Sequence, residues 1–165
     1  MNNKTIIAPA SAPGRGGVSV IRMSGCDAKK ISEKMSGPLE KPGYLKRRTI
    51  KSSDGSVLDT GMVVLFESPN SYTGEDVVEF HCHGNPAIVG LVIDEAVNLG
   101  AVLAEPGEFT KTAFLNDKID LAQAESVADL IDAQTKSAVT AANASLSGEF
   151  SKEIKSKDCP PIIFL

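Results

Sequence analysis

The sequence predicts an α+β fold: a small sheet domain of antiparallel or mixed strands with packed helices, followed by one long helix of an incomplete helical domain. Three observations predict it. Residues 17–24 and 76–83 alternate with the period of a strand, residues 86–99 carry helix punctuation at both ends, and residues 120–157 contain no proline and a single glycine. At 165 residues the chain is close to one ordinary domain. Size scaling lets such a chain bury about 69% of its unfolded surface, so no disulfide or metal staple is needed. A composition of 42% hydrophobic and 23% charged residues is globular and argues against a fibre, a disordered tail or a membrane protein.

The first strand, 17–24, places Val18, Val20 and Arg22 on one face, and an arginine on an otherwise apolar face needs a partner. A short helix over 27–35 is stopped by Gly37-Pro38. Residues 45–51 and 57–66 read as a hairpin around the Asp54-Gly55 turn, and 68–74 is a loop. The strand 76–83 sets Val77, Glu79, His81 and His83 on one face and Val78, Phe80 and Cys82 on the other. Pro86 suits the first turn of a helix closed by Gly100, and 101–104 makes another short strand. The segment that opens with Pro106-Gly107-Glu108-Phe109-Thr110 has a helix start and a break at Asn116-Asp117, and Asp120 is placed to cap the next helix. Taken as one helix to Lys157, that last segment would reach roughly 55 Å at about 1.5 Å per residue. A helix of that length needs other helices to pack on, so the chain is expected to be the front portion of something larger or to find partners in another subunit. The expected organisation is residues 1–118 as the sheet domain, 119–156 as the helix and 157–165 as a separate tail.

The three cysteines, Cys26, Cys82 and Cys159, are an odd number without paired spacing, which fits a reducing compartment. Residues 1–7 lack the apolar run of a secretion signal, and the uncharged stretch 80–93 is too short and broken to span a bilayer, so a soluble cytoplasmic protein without membrane association is expected. Seventeen basic against 21 acidic side chains give a net charge of −4, and only eight aromatics are present. That balance argues against bulk electrostatic attraction to nucleic acid. Charge is nevertheless unevenly placed: between Glu67 and Glu108 there are eight carboxylates and no Lys or Arg, with Lys46-Arg47-Arg48 before the block and Lys111 and Lys118 after it.

Pro13-Gly14-Arg15-Gly16-Gly17 could bring backbone N–H groups to an anion or be a plain tight turn, and no Gly-x-x-x-x-Gly-Lys-Ser/Thr loop occurs anywhere in the chain. His81-Cys82-His83 looks metal-like, yet an extended chain converges only its two histidines, and hydrogen-bonded histidines at a strand end are the favoured reading. No nucleophile, base and orienting group stand out as a catalytic set.

Six separated segments become specific together. Ala12-Pro13-Gly14-Arg15-Gly16-Gly17, Arg22-Met23-Ser24-Gly25, Pro69-Asn70-Ser71-Tyr72-Thr73-Gly74-Glu75-Asp76, His83-Gly84, Glu105-Pro106-Gly107-Glu108-Phe109-Thr110 and residues 114–132 closely resemble the N-terminal region of the bacterial tRNA modification GTPase family MnmE (TrmE). The resemblance runs from about residue 5 to residue 150. It implies a fold related to the tetrahydrofolate-binding part of aminomethyltransferases, a homodimer, and binding of 5-formyltetrahydrofolate or a related reduced folate as one-carbon donor for C5 of the tRNA wobble uridine. The folate contacts it implies are Arg22, Glu79 and Lys118, with no catalytic residue and no metal ligand assigned. Their chemistry suits the ligand: a carboxylate accepts the paired N–H donors of a pterin, and two cations can hold the glutamate tail. A mutual Arg22–Glu79 salt bridge is the competing reading of that pair.

In the family a helical domain with an inserted GTPase domain follows, using GTP with Mg and K, and the protein works with the flavin-dependent partner MnmG on tRNA. Two departures stand out: Asn85 replaces a second glycine, where its tolerance of left-handed backbone should preserve the turn, and residues 157–165 match nothing in the family, whose GTP-binding domain and C-terminal Cys-x-Gly-Lys motif find no counterpart here. The alternatives are a free-standing folate-dependent aminomethyltransferase and a non-catalytic assembly module. Because no loop that cradles β and γ phosphates is encoded, the 165-residue chain by itself should neither bind nor hydrolyse GTP. Phosphate release by purified chain above the contaminant level would contradict this.

Overall fold

The computed structural model describes residues 4–147, which form two compact units dividing after Phe109. The first unit holds β1 (Ile6–Pro9), β2 (Gly16–Ser24), α1 (Ala28–Ser36), β3 (Lys46–Lys51), β4 (Val57–Phe66), β5 (Val77–Gly84), α2 (Pro86–Asn98) and β6 (Val102–Leu103). These strands make one mixed six-stranded sheet in the order β3-β4-β5-β2-β1-β6. Only β1 and β6 run parallel; every other neighbouring pair is antiparallel. The expected α+β architecture is therefore present.

Strand alternation decides which face becomes the core. Ile21 and Met23 of β2 lie opposite Phe80 and Val78 of β5, and all four are fully buried. Val63 and Leu65 of β4 and Ile50 of β3 extend the same apolar face. It is covered by Ala28, Ile31 and Met35 of α1, spaced three and four apart, and by Val92, Ile93 and Ala96 of α2. At about 25 cal/mol per Å², burying each large aliphatic or aromatic side chain contributes on the order of 1.5–3 kcal/mol. What remains for the other face of β2 and β5 is the intervening set: Val20, Arg22, Glu79 and His81.

The helices end as their sequences dictate. Gly37, at φ 80°, terminates α1 with its N–H on the Glu33 carbonyl at 2.8 Å. At the start of α2, Pro86 occupies the first turn and the Asn85 side chain accepts the Ala87 N–H at 2.9 Å. Asn85 is extended (φ −121°, ψ 120°), so it preserves this turn as a helix cap and not through left-handed backbone. The short strand β1 lacked a readable signal, because four residues ending in Ala-Pro are too few to establish a period.

The single long helix expected from residue 120 is corrected. After α3 (Glu108–Leu115) come two helices, α4 (Leu121–Asp132) and α5 (Lys136–Leu146). Asp120 caps α4 in a reciprocal capping box with Gln123. The break needs neither proline nor glycine: Ala133 and Thr135 are extended, and the Thr135 hydroxyl accepts the Ala138 N–H at 3.2 Å, starting α5 afresh. Gln123 near the start of α4 donates to the Leu146 carbonyl at the end of α5 at 2.9 Å, so the two helices fold back on one another. The remainder of the expected helix, and the tail 157–165, lie outside the described residues. Among the described residues no helix is long and apolar enough to cross a membrane.

Gly61 marks where β4 and β5 leave no room for a side chain. A Cβ there would stand 2.4 Å from the His81 carbonyl oxygen. Gly61→Ala should push the strands apart and cost on the order of 2–3 kcal/mol, the upper part of the ordinary range for point substitutions. Urea unfolding measures this, and an unchanged midpoint would refute the close approach.

Candidate functional site

Arg22 and Glu79 face each other across the central strand pair, in register, on the face opposite the core. Arg22 Nε and Nη2 reach the same carboxylate oxygen, Glu79 Oε1, at 2.9 and 2.8 Å. Among the described residues the second oxygen, Oε2, is met by His81 Nε2 alone, at a longer 3.3 Å, from the residue two places on along the same face of β5. The side chains are 27% and 15% exposed for Arg22 and Glu79, so the pair is largely withdrawn from water yet reachable. An ionised carboxylate offers about four acceptor positions, and the three N–H contacts here leave Oε2 underused.

Two rings flank the guanidinium. Arg22 Cζ lies 5.2 Å from the Tyr72 ring centroid and 5.8 Å from that of Phe109, within cation–π range. Tyr72 comes from the loop joining β4 to β5, and the fold pins that loop hard. Thr73 is fully buried, with its hydroxyl 2.7 Å from that of Ser24 on β2, and Ser24 donates to Glu75 Oε2 at 2.8 Å. Phe109 is set by the Pro106-Gly107 turn: Gly107 has φ 76°, Glu108 accepts the Glu105 N–H at 2.7 Å and pairs with Lys4 at 3.0 Å. Neither ring was singled out from sequence. The signal was present in that both lie in strongly turn-forming segments, but a loop carries no period from which its reach could be read.

Of the three residues expected to contact a folate, the structure brings Arg22 and Glu79 into direct contact. Lys118 belongs to the second unit, where its N–H bonds the Ala113 carbonyl at 2.9 Å just after Asp117, a left-handed residue at φ 55°.

The two histidines are hydrogen-bonded, as expected. His83 donates its backbone N–H to Asp59 Oδ2 at 2.8 Å and turns Nδ1 to Asp59 Oδ1 at 2.7 Å, leaving a ring that is 68% exposed over a carboxylate that is 7% exposed. Cys82 points into the core, where burial, with the Asp59 charge behind it, pushes its thiol up to about 12 and keeps it protonated at neutral pH. No group of three potential metal ligands occurs among the described residues. The glycine-rich segment is a turn between β1 and β2, with Gly14 at φ 137°.

Residues 5–118 match the family described as GTP-binding protein TrmE N-terminus. The chain is 53% identical over 151 residues to a tRNA modification GTPase MnmE of Chromobacterium violaceum, covering 91% of this chain and 34% of that protein. It is 50% identical over 153 residues to the protein of the same name in Nitrosomonas eutropha, covering 93% of this chain and 34% of the relative. A Hydrogenovibrio crunogenus relative of that name is 50% identical over 152 residues, with 92% and 34% covered. The chain thus spans about a third of the length of the curated relatives it matches.

The Asp59–His83 pair has a pH signature. Burial by itself raises the Asp59 carboxyl, but hydrogen bonds from the His83 backbone and ring and from the Thr60 N–H outweigh it, and the group is held below the usual carboxylate range. A depressed carboxylate contributes stability that is present above its unfolded value and lost as pH falls through the folded one. Between about pH 5 and pH 2 the wild type should therefore lose more stability than Asp59→Asn, which should already be the less stable of the two at pH 7. Urea midpoints against pH measure this; parallel acid limbs would show that Asp59 contributes nothing.

Proposed function

The chain belongs to the family of TrmE N-termini, and from that membership we propose that it binds a reduced folate at the Arg22–Glu79 pair. The observation that carries the reading is a partly buried carboxylate whose Oε1 is fully engaged while its Oε2 retains acceptor capacity beside an aromatic-flanked guanidinium. The donor set fits the ligand. A pterin presents adjacent N–H donors, which Glu79 accepts; Arg22, bonded to the same carboxylate, serves that pterin end and not the tail, and the carboxylates of the glutamate tail, at the far end of the ligand, fall to Lys118 by charge-assisted hydrogen bonds. Tyr72 and Phe109 set their rings within cation–π range of Arg22 and help to keep it in place.

When bound, 5-formyltetrahydrofolate supplies the one-carbon unit for C5 of a tRNA wobble uridine, and this chain's residues bind and orient it. In the same reading the region dimerises, resides in the cytoplasm, and serves a longer protein that handles GTP and tRNA together with the flavin-dependent partner MnmG. Support for the tRNA and GTP parts comes from the relatives, which are named as tRNA modification GTPases. The helical hairpin α4–α5 removes the argument for dimerisation that a 55 Å unpartnered helix would have given, so that part rests on family membership alone.

A second reading is favoured by the geometry of Arg22, both of whose contacting nitrogens are spent on Glu79: the pair only stabilises the β2–β5 ladder. Glu79→Gln separates the two. Glutamine retains one acceptor but turns a donor toward the donors of the pterin, so affinity for 5-formyltetrahydrofolate should fall about ten- to a hundredfold, equivalent to roughly 1.5–3 kcal/mol. Lys118→Ala should weaken the same ligand and leave a pterin without the glutamate tail unaffected, whereas Arg22→Ala, which releases the Glu79 carboxylate, should weaken both. Calorimetric titration of folded protein decides: wild-type affinity in Glu79→Gln with lowered thermal stability would return the pair to a purely structural role.

A further inference from the structure

We propose that the groove between the end of α1 and the edge strand β3 is a docking surface for the phosphate backbone of RNA. The proposal rests on the family reading above, in which RNA is the substrate, but uses none of the residues assigned to the folate.

Residues 29–51 hold eight of the chain's 17 Lys and Arg side chains and only two carboxylates, Glu33 and Glu40. The fold gathers this run on one edge of the sheet, since β3 is the outermost strand and α1 packs beside it. Lys34, Lys46, Arg47 and Lys51 are exposed, and none of them has an ion-pair partner among the described residues. Arg48 is spent differently. Its Nη1 donates to the Ser36 carbonyl at 3.2 Å and its Nη2 to the Pro38 carbonyl, so the guanidinium ties α1 to β3 while its charge meets no carboxylate. Between them lies a cavity of about 430 Å³ whose lining includes Lys34, Arg47, Arg48 and Lys51. The carboxylate on that lining, Glu33, accepts the Leu39 N–H at 2.9 Å, so the lining sets four cations against one anion.

Four cations lining one open groove at the sheet edge, set apart from a 67–108 block that has no Lys or Arg, suit a polyanion that runs along that edge. They suit its phosphates and not its bases. Among the described residues the lining holds no aromatic ring, and Tyr44, two residues before β3, is covered by Lys41, whose Nζ lies 5.3 Å from the ring centroid. The surface therefore positions RNA without reading its sequence. Cations on an edge strand also discourage edge-to-edge pairing, but that role does not call for Lys34 on the helix or for a groove.

The test is fluorescence anisotropy of the whole chain with unfractionated tRNA across about 50–200 mM salt. Affinity should fall steeply with salt. The combined variant Lys34→Gln, Arg47→Gln, Lys51→Gln should lose about tenfold or more in affinity and reduce the log–log salt slope by about 2–3, with Arg47→Gln alone giving a smaller loss of the same kind. Titration of the same variants with 5-formyltetrahydrofolate should match wild type. Patch-dependent tRNA binding by a chain that takes no folate would overturn the folate reading and sustain this one. Absence of wild-type tRNA binding at the lowest salt, equal tRNA affinity in wild type and variant, stronger retention on phosphatidylserine vesicles than on tRNA, or aggregation of the variant at unchanged tRNA affinity would each overturn the RNA surface.

Discussion

The register between β2 and β5 constrains nearly everything else in the first unit. With Ile21 opposite Phe80, Arg22 opposite Glu79 and Met23 opposite Val78, apolar and charged pairs alternate across the centre of the sheet. A slip of one residue in β2 would send the Arg22 guanidinium into the space under α1 and α2, away from Glu79, and expose Ile21 and Met23. Burying that charge without its solvation costs several kcal/mol, so the hydrophobic and electrostatic terms select the same register. The ion pair is in this sense a product of the core: α1 and α2 claim the apolar set, and what remains must satisfy itself on the other face.

That remainder is where chemistry collects. Arg22 and Glu79 stand on rigid central strands, while the aromatic contacts come from loops that the strands hold in place. The Ser24–Thr73–Glu75 hydrogen bonds fasten the β4–β5 loop to β2, and Lys4–Glu108 fastens the turn that carries Phe109. A binding group set on strands and fenced by pinned loops loses little freedom when a ligand arrives, which is the physical basis of preorganisation. The opposite edge follows a different logic. Around β3, Lys46, Arg47 and Lys51 are exposed, without ion-pair partners among the described residues and screened by salt, so they act through field and not through fixed geometry.

Local rules served where a single residue decides an outcome. Gly37 ends α1, Asn85-Pro86 begins α2, Asp120 caps α4, and the alternation at 77–82 sorts Glu79 and His81 from Phe80 and Cys82. They failed at the break between α4 and α5. Absence of proline and glycine shows that a helix is permitted, but the chain turns at Ala133-Gln134-Thr135 because a threonine cap and the packing of two half-length helices together outweigh unbroken helical hydrogen bonding. Asn85 was legible as a residue that would preserve its turn and illegible as to how, since an asparagine serves equally as a left-handed residue or as a cap.

Short-range periodicity, caps and ordered motifs carry the α+β class, most strands and helices of the first unit, the faces on which Arg22 and Glu79 lie, and the family. Folding in three dimensions adds that Arg22 meets Glu79 and not another carboxylate, that Tyr72 and Phe109 stand by it, that Asp59 holds His83, and that cations of α1 and β3 line one groove. Each of these joins residues from separate elements or loops, 24 apart for Asp59 and His83 and 57 apart for Arg22 and Glu79. Their meeting depends on strand order and loop path, and those are set by burial of the whole apolar face at once, a quantity that no local window of sequence contains.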